Sequence, residues 1–460
     1  MDAAHIIDSD LYGHLWSTDE VRDLLSDRGR VAAWIEILVA LAEAQAECEL
    51  IPTEAAREIR TALPSDQPDV AAIAEATRRT AHSTAGLITV LSSRLSERSR
   101  EWLYYGATVQ DLSDTWTAIL MRRFSAIALR DLRDIERLAL ELAEQHRETP
   151  MLGRTHGQPG APITFGYKAV VWATELRRHI ERLKELHDRI AVVQLGGAVG
   201  TGAVFAELAI DLQETFARRL GLGVPELPWL SARDRIAEFV TWLAMFTGTL
   251  AKIGREITNL QRPEIGELRQ PELSSNGVGS ITMPHKRNPA ASEQLVTLAR
   301  VARSSAGLAL EGLVHEHERD GAAWKAEWLL IPESMMVAAA SLSFGRQVLD
   351  GLEVRSEQMA RNLDGQRGYV FSEQAVKAVG LRLGQHRARN LVGAVARTGL
   401  NDGLSFEEAL VRAESDTGLT REEVVQVLAP SAAVANALAF TDRAVSLCRR
   451  AREQDPKWSV

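Results

Sequence analysis

The sequence predicts an all-α chain, and three observations lead there. Ala, Leu, Glu and Arg recur at spacings of three and four, alternating runs rich in Val, Ile, Thr and Tyr are scarce with aromatics at 5%, and three segments exceed the usual helix length. The three segments are 127–148, 164–193 and 231–260. The last sets Ile236, Phe239, Val240, Leu243, Phe246, Leu250 and Ile253 on one broad stripe. At about 1.5 Å per residue such a helix is about 45 Å long. An apolar face that wide, without sustained charged heptads, needs neighbouring helices to cover it, so the central third reads as a long-helix bundle. Before it, the first hundred residues read as a smaller helical unit, with Ser17 and Glu20 at capping-box spacing and a break near Tyr105 and Gly106. After about Leu352 a third helical unit follows, where Ser405 with Glu408 and Thr420 with Glu423 mark further helix starts. The expected division is 1–105, 106–352 and 353–460.

Composition narrows the functions. A chain of 460 residues, 45% hydrophobic and 25% charged, is an ordinary globular protein with room for about three domains at roughly 150 residues each. Its 53 Lys and Arg against 62 Asp and Glu give a net charge of −9, which argues against nucleic acid and acidic membrane surfaces as partners. Cys48 and Cys448 stand too far apart in sequence for metal-ligand spacing or a disulfide framework, and a reducing cytoplasm is the expected location. The acidic start MDAAHIIDSD lacks the basic segment of a signal peptide, and no stretch is expected to approach the roughly 18 apolar residues of a membrane span. The richest stretch, MMVAAASLSF, is short and follows Pro332 and Glu333. Lysine is rare, at positions 168, 184, 252, 286, 325, 377 and 457, so a lysine inside a motif carries weight.

One segment interrupts the helical pattern, RQPELSSNGVGSITMPHKRNP at 269–289. Ser, Asn and Gly free the backbone, Pro284 and Pro289 stiffen it, and a helical run begins at Ala290. Gly279 and Ser280 are followed closely by His285, Lys286, Arg287 and Asn288, so donors and cations crowd a helix N-terminus, where anions are favoured. Spacing alone fits an anion-binding loop and an ordinary cationic helix start equally.

GSITMPHKRNP resembles the signature GSSxMPxKxN of the fumarase/aspartase superfamily, which eliminates groups from succinyl-type substrates and often releases fumarate. Two further segments match in the family's order, GATVQDLSDT at 106–115 and GRTHGQPGAPITFG at 153–166, and QLGGAVGT at 194–201 resembles the family's glycine-containing helix junction. With the helical organisation, the resemblance spans essentially the whole chain. It implies a three-region fold and a homotetramer whose core bundles about twenty helices, with each active site built from three subunits. It implies no metal and no organic cofactor.

The resemblance also implies roles. Elimination removes a proton beside a carboxylate, creating a dianionic aci-carboxylate that must be stabilised. Ser280 corresponds to the catalytic base, activated by surrounding N–H donors and cations. Lys286 and Asn288 correspond to ligands of the carboxylate that gains charge. His156 matches the histidine that protonates the leaving group or orients the residue that does, and Glu293 the carboxylate that pairs with it. Thr155 and Gln158 are expected to orient the substrate, and Thr108 to touch its carboxylate, although Val109 stands where relatives often have serine. His82, in RRTAHSTAG, resembles a histidine of adenylosuccinate lyases, with Ser83 in place of the expected aspartate. Its role stays open between acid, substrate contact and polar loop residue. The HEHE run at 315–318 reads as a solvated helix face, because on a helix His315 and His317 point apart.

KRNP and the preceding MPH occur in adenylosuccinate lyases and in 3-carboxy-cis,cis-muconate cycloisomerases alike. HEHERDGAAWKAEWLLIPE at 315–333 and LLSDRGRVAAWIEILVALAEAQ at 24–45 resemble the cycloisomerase branch, whose bacterial members commonly carry tryptophan where this chain has His156. The expectation is therefore a cycloisomerase-like scaffold equipped for β-elimination from a small dicarboxylate, a substituted succinate, with fumarate as product and C–N cleavage favoured. Adenylosuccinate-like and nitrosuccinate-like substrates both fit that reading. A cycloisomerase is the alternative, and a non-catalytic tetramer that kept the fold is the alternative of another class.

Overall fold

The protein is described by a computed structural model covering residues 4–66, 68–82, 84–272, 282–283 and 285–458. Among the described residues seven helices exceed twenty residues: α1 (Asp27–Glu47), α2 (Val109–Gln145), α3 (Phe165–Ile190), α4 (Asp234–Gln261), α5 (Ala290–Glu311), α6 (Gly321–Leu349) and α7 (Pro430–Glu453). Shorter helices fill most of the remainder, so the chain is all-α apart from two small antiparallel pairs. In the first, β1 (Pro150–Thr155) pairs with β2 (Gln158–Thr164); in the second, β3 (Leu268–Arg269) pairs with β4 (Glu353–Val354).

The bundle is α2 through α6. Helix α4 packs on α3, α5 and α6, and α2 on α3 and α6, around one continuous apolar core that also takes in α1. A smaller core gathers Ala375, Val379, Ala388, Val392, Phe406, Leu410, Leu419 and Val424 near the C-terminus. The expected 164–193 and 231–260 helices become α3 and α4 with small shifts at their ends. The expected 127–148 helix is the second half of α2, which begins at Val109. Every residue from Gln110 to Met121 is buried, so that stretch has no polar face to set an amphipathic period.

Three sequence expectations need correction. The helix expected to be capped by Ser17 is Asp19–Leu25 with extended Thr18 as its N-cap, which puts Glu20 one residue short of the capping-box position. The boxes at Ser405 and Thr420 are present as expected. The HEHE run is not helical: α5 stops at Glu311, and Asp320 caps α6 by accepting from the N–H groups of Ala322 and Ala323. Finally, three helical segments are long and apolar enough by composition to span a membrane: α4, α6 and Arg421–Glu453. Alanine, glycine and threonine interleave with larger apolar residues there, keeping mean hydropathy high without an unbroken apolar run. In α4 and α6 the apolar window is 67% buried inside the protein itself, against 17% in the third.

Helix α6 runs through Pro332, whose missing N–H leaves the carbonyl of Trp328 without its usual intrahelical donor. The deepest polar link is Arg233, 2% exposed at the N-cap of α4. Its guanidinium donates to Asp114 of α2 (2.7 and 3.1 Å) and to Glu327 of α6 (2.9 Å). Burial opposes its charge, but Asp114 and Glu327 more than offset that and raise its pKa. A second buried cluster ties the C-terminal tail to the bundle: Arg177 of α3 binds Glu136 of α2 (2.7 Å) and Asp455 (2.8 Å).

Arg233→Met strands two buried carboxylates, so it should lower unfolding free energy by about 3–5 kcal/mol in a urea titration. His179, buried on α3 with Nε2 on Thr249 Oγ1 (2.9 Å), has its pKa lowered from 6.5 to about 4, by burial first and by Arg182 second. The unfolded chain then takes up a proton at higher pH than the folded one, so this residue's stabilising contribution, complete above pH 6.5, falls away between 6.5 and about 4. Stability should drop across that window by up to about 3 kcal/mol on its account, and the drop in urea midpoint should be smaller in His179→Asn.

Candidate active site

Thr108 is the N-cap of α2, with its backbone N–H donating to Asp111 Oδ2 (2.9 Å). Asp111 also accepts from Gln194 Nε2 (3.0 Å) and from the N–H groups of Gly196 (2.9 Å) and Gly197 (3.0 Å), so the 194–201 segment is pinned against the helix start. Burial raises the pKa of Asp111 to about 6 against the pull of those donors. Gly106 sits just upstream at φ +72°, and a Cβ there would come within 2.3 Å of the Phe205 ring, so only glycine fits the turn.

Arg319 reaches the same place from the loop before α6. Its Nη1 donates to Thr108 Oγ1 (3.1 Å) and its Nη2 to the Gly197 carbonyl (3.4 Å), while its buried Nε has no acceptor. No carboxylate lies within ion-pair distance of it among the described residues. His315 holds this loop, its Nε2 accepting from the Asp320 N–H (2.8 Å). Tyr104, at φ +66°, lies close enough to Thr84, Asp111 and Arg319 for all three to act on its hydroxyl, and burial pushes its pKa up. His82 lies two residues before Thr84, and its Nδ1 accepts from the N–H groups of Thr84 (3.3 Å) and Ala85 (3.2 Å) at the start of the helix Ala85–Ser92. In those contacts Nδ1 is the acceptor, which leaves Nε2 to face other partners. Thr108, Arg319, Tyr104 and His82 thus occupy one region.

Thr155, His156 and Gln158 occupy another. They form the tip of the β1–β2 hairpin, where Thr155 pairs with Gln158 across a two-residue turn. His156 at φ +53° and Gly157 at φ +76° give it the twist that favours such hairpins. All four tip residues are exposed, and the His156 ring has no hydrogen-bond partner among the described residues. The base of the hairpin is rigid. Arg154 binds buried Glu267 through two bonds (2.8 and 2.6 Å), and Asn362 also donates to Glu267 (2.8 Å).

Lys286, Asn288 and Glu293 form the third group, all exposed, with Glu293 in the first turn of α5. Ser280 and Gly279 lie outside the described residues. Lys286 and Asn288 line a groove of about 500 Å³ with His285, Arg287, Arg269 and Arg355. Gln270 fastens the helix start, its Oε1 accepting from Ser292 N–H (2.9 Å) and Ser292 Oγ (2.7 Å). No hydrogen bond or ion pair joins His156 to Glu293 within the chain, among the described residues. The three groups ride on different elements, and among the described residues no hydrogen bond or ion pair joins one group to another.

A lyase family profile matches residues 15–303. The chain is 38% identical over 430 residues to an N-acetyl-S-(2-succino)cysteine lyase of Enterococcus italicus, covering 93% of this chain and 94% of that protein. The chain belongs to the fumarase/aspartase superfamily. A 3-carboxy-cis,cis-muconate cycloisomerase of Pseudomonas aeruginosa is 35% identical over 434 residues, covering 93% and 94% of the two chains. The crystal structure of a fumarate lyase from Mesorhizobium sp. BNC1 superposes with a TM-score of 0.87 at 33% identity, over 94% of this chain and 98% of that one. The protein is therefore a superfamily enzyme of the lyase and cycloisomerase kind, and superfamily members act on small dicarboxylates.

Within this superfamily member, sequence reasoning missed Arg319 and Tyr104. Arg319 lies inside HEHERDG, where the two histidines are the more conspicuous residues. Tyr104 directly precedes the Tyr105–Gly106 break, and its left-handed backbone is not signalled by its residue type.

Proposed function

We propose that the protein is a lyase that removes a thiol from a 2-succinyl thioether and releases fumarate. The observation that carries this reading is Arg319: a half-buried guanidinium with no carboxylate partner, resting on the Thr108 hydroxyl, is suited to one carboxylate of a dicarboxylate. Similarity to the succinocysteine lyase of E. italicus directs the substituent to sulfur rather than to the nitrogen that the sequence alone favoured.

The proposed chemistry follows from the groups available. Ser280, as alkoxide, takes the proton from the carbon beside one carboxylate, and the electron pair moves into that carboxylate. Lys286 and Asn288 stabilise the resulting dianion by charge and hydrogen bonding. The pair then returns to form the C=C bond while the bond from the neighbouring carbon to sulfur breaks, and sulfur leaves as thiolate. With a thiol pKa near 8.5, sulfur departs with little acid assistance, whereas an amine must be protonated first. His156, paired with Glu293, supplies the proton to the leaving group; Thr155 and Gln158 orient the substrate. His82, whose Nδ1 is engaged by the helix start, serves as a substrate contact through Nε2. Since the three groups stand apart in one chain, the proposed active site is assembled from three subunits of a homotetramer. Exposed apolar residues on the bundle helices, Met245, Leu308, Leu310 and Leu329, support that assembly.

A cycloisomerase is the second reading, favoured by 35% identity to the P. aeruginosa enzyme. One panel separates the readings: S-(2-succinyl) thioethers, N-substituted succinates and 3-carboxymuconate, followed by fumarate appearance or carboxymuconate loss. Thioether turnover is expected, and carboxymuconate consumption without fumarate from any succinate would overturn the proposal. Ser280→Ala should lower kcat by about a thousandfold or more; near-normal turnover would remove Ser280 from the role of base. Arg319→Gln should raise KM by about tenfold or more, the loss of one charge-assisted contact. His156→Ala should slow N-substituted succinates more than thioethers, and equal slowing would indicate a structural role.

A further inference from the structure

Between α1, α2 and α6 lies a cavity of about 70 Å³ that none of the groups above uses. Tryptophans wall it. Trp34 meets Trp116 edge-on with ring centres 6.3 Å apart, and Trp324 meets Trp328 at 4.8 Å. The Arg30 guanidinium lies 4.6 Å above the Trp116 ring.

The charges around the cavity are unevenly satisfied. Asp114 and Glu327, on one side, are held by Arg233, and Asp114 also accepts from Trp324 Nε1 (3.2 Å). Arg30, on the other side, has no carboxylate within ion-pair distance among the described residues, and its buried Nε has no acceptor. Burial lowers its pKa with only Asp27 opposing. Trp34, 8% exposed, likewise has an indole N–H without an acceptor. Arg30 and Trp34 are four residues apart on α1 and so project from one face. Two unmet N–H donors, one on a cation, therefore border the same aromatic-walled space. Such groups are costly to bury unpaired, and an acceptor carrying negative charge answers both.

We propose that this cavity is a second ligand site, separate from the candidate active site, for a small monocarboxylate whose carboxylate accepts from Arg30 Nε and Trp34 Nε1 while its short aliphatic body rests on the tryptophans. The volume is several times the roughly 10–15 Å³ that admits one water, room for a body as small as propionate. The proposal does not depend on which reaction the enzyme catalyses.

Tryptophan fluorescence of the full-length protein tests it directly, since the probes line the site. Titration with propionate at constant ionic strength should give a saturable change that sodium chloride and 1-propanol do not reproduce. Trp34→Phe and Arg30→Met should each weaken the apparent affinity by about tenfold, equivalent to about 1.4 kcal/mol, and saturating fumarate should leave the titration unchanged. If Arg30→Met fails to fold, as judged by circular dichroism, Trp34→Phe and a propionate-dependent rise in the wild-type melting temperature carry the test. Absence of any saturable change, meaning that the cavity holds water only, would overturn the proposal. So would affinity unaltered by Trp34→Phe, or displacement of propionate by fumarate.

Discussion

The bridge that Arg233 makes between Asp114 and Glu327 is the constraint on which the arrangement of the bundle depends. It joins α2, α4 and α6 at one level, and the planar guanidinium fork meets each of two carboxylates through two bonds, which the three donors of a lysine could not supply. Asp114 lies six residues beyond Thr108 and Glu327 eight beyond Arg319, so the clamp fixes the starts of the two helices that bring those residues into contact. A slip of either helix by one residue would swing a buried carboxylate away from Arg233. Gln110, one turn before Asp114, reinforces the register by donating to Asp114 (3.0 Å) and to the carbonyl of Leu230 (2.7 Å) just ahead of α4. Buried ion pairs contribute little net stability but penalise misalignment strongly, so the principal effect of this one is on geometry.

The same device recurs wherever an exposed functional group must be held still. Glu267 receives Arg154 from the β1–β2 hairpin and Asn362 from the helix Ser356–Asp364, which anchors the base of the turn that carries His156. Gln270 fastens the start of α5 behind Lys286 and Asn288, and Asp111 fastens the 194–201 segment behind Thr108. In each case the fastening residue is buried and the candidate functional residue is half-buried or exposed. Rigid supports beneath outward-facing groups suit a site completed by other subunits, because the chain cannot rely on its own packing to orient those side chains.

The long helices α3 and α4 could be read from the sequence because each has a polar side, which gives the apolar residues a period. The start of α2 could not, since burial on all sides erased the period from 110 to 121. The hairpin was legible only as a motif: its two strands are short, and Pro159 and Pro162 break any alternating pattern. Among candidate site residues, those inside continuous motifs could be named from the sequence, while the contacts between separate segments could not. Arg319 and Thr108 are 211 positions apart, and nothing local to either announces the other. His315, dismissed as one of a solvated pair, fixes the loop that carries Arg319, a role visible only once the run is seen to lie between helices.

Charge distribution bears on how a dicarboxylate would find such a site. The molecule as a whole carries −9 and repels anions at long range, yet the candidate site includes several cations and hydrogen-bond donors. Arg319 stands by Thr108 without a carboxylate partner among the described residues, and Lys286 borders a groove with Arg287, Arg269 and Arg355, which pair with Glu272 and Glu353. At physiological ionic strength the repulsion from distant surface charge is screened within about 8 Å, whereas charges in a groove with low-dielectric walls act on a ligand at contact. The local cations therefore dominate once the ligand arrives, and the surrounding negative surface offers it few competing places to bind.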